Sequence, residues 1–105
     1  MSHLTCTNNK GFSITFSNDF RLSVQFGPGN YCEHYQEPFP VEDITGYWRS
    51  LDAEIAVISP TGDMLQFQNE ETVLGYVSVE TLVKVIAYVA ALTEQPDVIP
   101  FQSQE

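Results

Sequence analysis

The sequence predicts an α+β fold in two layers: an antiparallel sheet of four or five strands, built from two hairpins, with one C-terminal helix packed on its apolar face. Three observations carry this expectation. Apolar residues alternate singly through residues 11–26, they return at helical spacing through residues 79–93, and 105 residues are enough for one core and no more.

Residues 1–10 are polar and without a period, and read as a flexible lead-in. From Gly11 onward Phe12, Ile14 and Phe16 alternate with Ser13, Thr15 and Ser17. Asn18-Asp19 then supplies a turn, and Phe20, Leu22, Val24 and Phe26 resume the alternation. A period of two on both sides of such a turn predicts a hairpin with one wholly apolar face. Gly27-Pro28-Gly29-Asn30 ends the second strand, because proline removes a ladder donor and the glycines permit a sharp turn.

A long irregular segment follows, at about residues 27–50, holding Tyr31, Tyr35, Phe39, Tyr47 and Trp48 among Glu33, Glu37, Glu42 and Asp43. Loops of this length inside a small domain often carry function. Residues 53–58 read as a third strand. Pro60-Thr61-Gly62-Asp63 is a turn, and Met64, Leu65 and Phe67 begin a fourth strand, the partner in a second hairpin. Residues 72–77 give a short fifth strand interrupted at Gly75.

Ser78 is a good helix N-cap, with Glu80 in the first turn opposing the helix dipole. Leu82, Val83, Ile86, Val89 and Ala90 repeat at helical spacing. Val79, Val85 and Ala87 widen the band, which predicts a helix buried on most of its circumference and stopped by Pro96. The single domain thus spans residues 11–95. Residues 96–105 form a tail in which Val98, Ile99 and Phe101 are expected to dock.

Charge narrows the function. Fourteen Asp and Glu face four Lys and Arg, a formal net charge of -10. Nucleic acid and anionic membranes are poor partners for such a chain, since both are bound through basic clusters. A basic protein partner is favoured by long-range steering. No apolar run approaches the ~18 residues that span a bilayer, and the N-terminus lacks the pattern of a signal peptide. Two cysteines are too few for a disulfide scaffold, so the expected compartment is the cytoplasm.

His3 with Cys6, and Cys32 with His34, comprise every imidazole and thiol in the chain. Together they are a zinc-ligand set by chemistry, but Cys-x-His is a tight spacing for the familiar sites. Cys32 and His34, alternate residues, also suggest a nucleophile and base; the adjacent Glu33 and Glu37 oppose the low thiol pKa this would need. Paired carboxylates such as Asp52 with Glu54 read most simply as a solvated face. No cofactor is expected.

The run Phe-Gly-Pro-Gly-Asn-Tyr-Cys at 26–32, Trp48, Asp-Ala-Glu-Ile-Ala-Val at 52–57, and the step Gly75, Tyr76, Ser78 resemble a family of small phage and prophage proteins with no assigned activity. That resemblance implies the context of a small acidic inhibitor of host machinery, such as an anti-CRISPR protein or DNA mimic. The expected function is therefore a non-enzymatic, phage-derived protein that blocks a basic nucleic-acid-binding site on a host defence or DNA-processing protein. Its expected contact residues are Glu33, Glu37, Glu42, Asp43, Glu70 and Glu71, with Tyr31, Tyr35 and Trp48 as aromatic anchors. Two other readings stand beside it: a small enzyme or zinc domain centred on Cys32 and His34, and an oligomerisation module dimerising through an exposed strand edge.

Overall fold

The computed structural model describes residues 2–7, 11–36 and 49–102. Within them the elements run β1 (His3–Thr7), β2 (Gly11–Thr15), β3 (Arg21–Gln25), β4 (Asp52–Ile58), β5 (Leu74–Ser78) and α1 (Val79–Ala90). The strands form one antiparallel sheet in sequence order, β1-β2-β3-β4-β5. An α+β fold with one C-terminal helix is the outcome that the alternation and the helical spacing predicted.

The β2–β3 hairpin follows from its pattern. Phe12 faces Val24 and Ile14 faces Leu22 across the ladder, so the apolar side chains share one face. Its turn is one residue longer than expected. The Phe16 N–H donates to the Phe20 carbonyl (2.9 Å), and Asp19 takes a left-handed φ of 69°, a conformation Asp tolerates better than most residues. The Asn18 carboxamide oxygen accepts from the Phe20 N–H (3.0 Å) and fixes the turn.

Residues 3–7 correct the expectation of a loose lead-in, because they pair with β2 over its whole length. The sequence concealed this strand: Leu4 and Cys6 share a face with Ile14 and Phe12 but remain exposed. A strand that buries almost nothing shows no contrast between its two faces.

Leu22, Val24, Ile55, Val57, Leu74 and Val77 join Val85, Val89 and Ile99 in one buried cluster. Each such aliphatic side chain contributes roughly 1.5–3 kcal/mol when fully buried. Ser78 caps α1 as expected, accepting from the Thr81 N–H (3.2 Å). The helix meets β3, β4 and β5, and buries only Thr81, Val85 and Val89 fully. Val79 and Val83 are exposed, so one face is covered and not most of the circumference. The helix also ends before Pro96. The Asn18 Nδ2 group donates to the carbonyls of Val89 (2.8 Å) and Leu92 (2.9 Å), tying the hairpin turn to the end of the helix. One turn residue thus organises the hairpin and binds the end of a helix far along the chain.

The expected fourth strand at residues 64–67 does not form. Met64 makes a single bridge to Ile58 and Phe67 a single bridge to Ile99. β5 occupies the β4 edge from Asp52 to Ile55, which leaves only the last residues of β4 for this segment. The segment turns to the tail instead: Ile99 donates its N–H to the Gln66 carbonyl (2.7 Å) and is fully buried. Phe101 meets Tyr88 edge-on, with centroids 5.8 Å apart. Ile99 and Phe101 dock as expected, whereas Val98 stays exposed.

Candidate functional site

The expected contact residues divide into those the structure describes and those it does not. Glu37, Glu42, Asp43 and Trp48 lie outside the described residues. Tyr31, Glu33 and Tyr35 stand on a loop of residues 27–36 that leaves β3 and folds against the start of β4.

That loop is held by hydrogen bonds from its own backbone. Asn30 donates its N–H to the Gly27 carbonyl (3.0 Å) and accepts from the Gly27 N–H through Oδ1 (3.1 Å). Gln36 reaches back to the Pro28 carbonyl (2.8 Å), and Tyr35 to that of Cys32 (3.0 Å). The Gly-Pro-Gly-Asn turn is therefore the base of a closed loop.

Two carboxylates of β4 tie the loop to the sheet. Asp52 and Glu54 alternate with the buried Ala53 and Ile55, so they occupy the face opposite the core. Glu54 accepts from the Asn30 side-chain amide through Oε1 (3.1 Å) and from the Tyr31 N–H through Oε2 (3.0 Å). Asp52 accepts from the Glu33 N–H (2.6 Å), and Glu33 accepts from the Leu51 N–H (2.8 Å). These are charge-assisted bonds; the Asn30–Glu54 bond is partly shielded from water and contributes about 1.5–3 kcal/mol, and the other three are exposed and contribute less. Asp52 and Glu54 are thus clamps, not the solvated pair the sequence suggested.

β5 supplies the third attachment. Between the pairs Ala53–Val77 and Ile55–Leu74 the register shifts, leaving Gly75 and Tyr76 opposite Glu54. A bulge frees and redirects a ladder donor. Tyr76, at φ 54°, gives its N–H to the Tyr31 carbonyl (2.9 Å). At Gly75 a Cβ would lie 2.8 Å from the Tyr31 Cβ, so only glycine admits Tyr31 this closely. The expected interruption at Gly75 is this bulge.

The outward surface of the loop is aromatic and acidic. Tyr31 and Tyr35 lie with ring centroids 4.9 Å apart, tilted by 43°, and both are exposed, at 49% and 39%. The Tyr35 phenol, by its charge and by a hydrogen bond, raises the Tyr31 hydroxyl above its ordinary pKa. Desolvation and the carboxylates of Glu54 and Glu71 add to the shift. Glu71 thus lies within electrostatic reach of Tyr31. Glu70, at φ 67°, turns the chain just before it, its N–H on the Phe67 carbonyl (3.0 Å).

The alternative centre at Cys32 and His34 has a different geometry. Cys32 is buried beneath the loop, its Sγ 3.5 Å from the Gly27 carbonyl. Burial pushes its thiol pKa up, and the Asp52 and Glu54 charges reinforce this against an opposing bond from the His34 backbone. The His34 Nε2–H donates to the Arg49 carbonyl and lies 3.8 Å from a Glu33 oxygen. A raised thiol pKa opposes the thiolate that a nucleophile needs. His3 and Cys6 sit on opposite faces of β1, separated from β4 by two strands. Among the described residues no three His, Cys, Asp or Glu side chains gather as a metal site.

Sequence reasoning missed Asn30, Asp52, Glu54, Gly75 and Tyr76 as parts of the site. Only the broken alternation at Gly75 signalled any of them. Among the described residues no helix is long and apolar enough to cross a membrane. Comparison with family models, with curated proteins and with solved structures found no match to the chain.

Proposed function

We propose that this chain is a non-enzymatic binding protein whose loop of residues 27–36 docks on a basic surface and blocks a nucleic-acid-binding site. This is the mode of action of a phage-derived inhibitor of host defence or DNA-processing proteins. The observation that carries the reading is the exposed Tyr31–Tyr35 pair, standing among Glu33, Glu54 and Glu71 on a loop already fixed by hydrogen bonds.

Such a loop meets a partner with little left to order, which favours affinity. The tyrosines supply broad, amphipathic contact area, and the carboxylates steer the approach of a positive surface. In this reading α1 lies across the apolar face of the sheet, away from the site.

The test is capture of purified basic nucleic-acid-binding proteins of the host, with duplex DNA as competitor, at low and high salt. Capture is expected to fall with salt, to be displaced by DNA, and to drop at least tenfold in the Tyr31→Ala, Tyr35→Ala double variant, a loss typical of anchor residues. Binding indifferent to both salt and DNA would sink the proposal.

A further inference from the structure

Hydrogen-bond parity across the sheet settles what β1 offers to a neighbour. The Phe16 N–H bond to Phe20 makes Ile14–Leu22 and Phe12–Val24 the bonded pairs of the β2–β3 ladder. In an antiparallel ladder bonded and non-bonded pairs alternate. Gly11, Ser13 and Thr15 therefore turn their N–H and C=O groups to β1, where they face Thr7, Thr5 and His3. Leu4 and Cys6 consequently aim theirs outward, at the edge of the sheet.

Among the described residues this edge lacks the usual safeguards against pairing, which are charge, proline and a covering element. β1 reads HLTCT, without a charged residue or proline, and α1 packs on β3, β4 and β5. Leu4 is 74% exposed and Cys6 is exposed. All fourteen acidic residues of the chain lie at position 19 or beyond, and neither β1 nor β2 carries one. A chain of net charge -10 repels a second copy at most approaches. The β1 edge is where two copies meet without strand carboxylates facing one another.

We propose that two copies of the chain pair antiparallel through β1 about a twofold axis at Thr5, joining their sheets into one of ten strands. In that register Leu4 of each copy faces Cys6 of the other, and both residues have outward N–H and C=O groups. Four backbone hydrogen bonds form, and Thr5 meets Thr5 in the central non-bonded pair. Any antiparallel edge has such a register; what favours a second copy here is that neither β1 nor β2 carries a carboxylate in a chain of net charge -10. The proposal is independent of the binding loop, which lies at the other side of the sheet.

Solution mass and charge exchange at Thr5 provide the test. Light scattering is expected to give twice the 11.8 kDa mass of one chain at high concentration. Thr5→Glu or Thr5→Lys alone sets like charges opposite each other and weakens the dimer about fivefold or more, while mixing the two variants restores it. Circular dichroism melts confirm that both variants fold. Thr5→Cys in a Cys6→Ser background is expected to cross-link on mild oxidation, since non-bonded pairs bring Cα atoms to ~4.5 Å. The native Cys6 pair, diagonal and beyond ~7 Å, is not. A wild-type mass of one chain at about 1 mM, or folded Thr5→Glu protein that dimerises as tightly as wild type, would overturn it.

Discussion

At the β5 side of the sheet a bulge, two carboxylates and a loop engage the strand; at the β1 side Leu4 and Cys6 turn their backbone groups outward. The first side is acidic, with Asp52 and Glu54 bonded to loop amides. The second has no carboxylate on either of its two outer strands. The difference shows how so acidic a chain folds: its negative charges in the sheet are placed where unpaired N–H donors need acceptors. Charge that repels at long range acts locally as a set of hydrogen-bond acceptors.

The contrast breaks most severely at Gly11. A Cβ there would lie 2.0 Å from the Val24 carbonyl oxygen, at a backbone φ of 155°. Gly11→Ala is expected to cost about 3 kcal/mol or more and to detach β1 with β2 from β3. Urea denaturation gives the magnitude, and amide exchange of Ser13 and Phe12 shows where the damage lies.

A smaller effect is expected at the opposite side. Glu54→Gln keeps one acceptor but places an amide donor against either Asn30 or Tyr31, at a cost of roughly 1–2 kcal/mol. Faster hydrogen exchange at the Tyr31 and Tyr76 amides, with β1 and β2 unaffected, would locate the loss. Uniform acceleration through the whole sheet would show that the two sides do not respond separately.

The smallest effect is a pH dependence. The Cys32 thiol sits above its ordinary value of 9.0, so the unfolded chain loses this proton first. Its contribution to stability is complete below that value and declines as pH rises through the folded-state pKa. The urea midpoint should hold steady toward pH 9 and fall above it, less steeply in Cys32→Ser. At neutral pH a thiol reagent should label Cys6 rapidly and Cys32 only on unfolding.

The comparison also explains what the sequence revealed. The β2–β3 hairpin and the Ser78 cap were legible because local pattern alone determines them. Strand β1 was hidden because Leu4 and Cys6 bury too little to impose alternation. The bond from Asn18 to the helix end was hidden because the two are remote in sequence. Residues 64–67 carry a strand pattern, but β5 holds most of the β4 edge they would need. For the site, Tyr31, Tyr35 and Glu33 were legible as exposed aromatic and acidic loop residues. Asp52 and Glu54 were not, because their partners are backbone amides, which every residue but proline possesses and no pattern marks.

The bulge at Gly75 and Tyr76 has a consequence for how this loop can change. Position 31 is anchored by its amide to Glu54 and by its carbonyl to Tyr76. Neither attachment uses the phenol ring. Other side chains can therefore replace the ring while the loop keeps its course, and residue 31 can vary without redesign of the framework beneath.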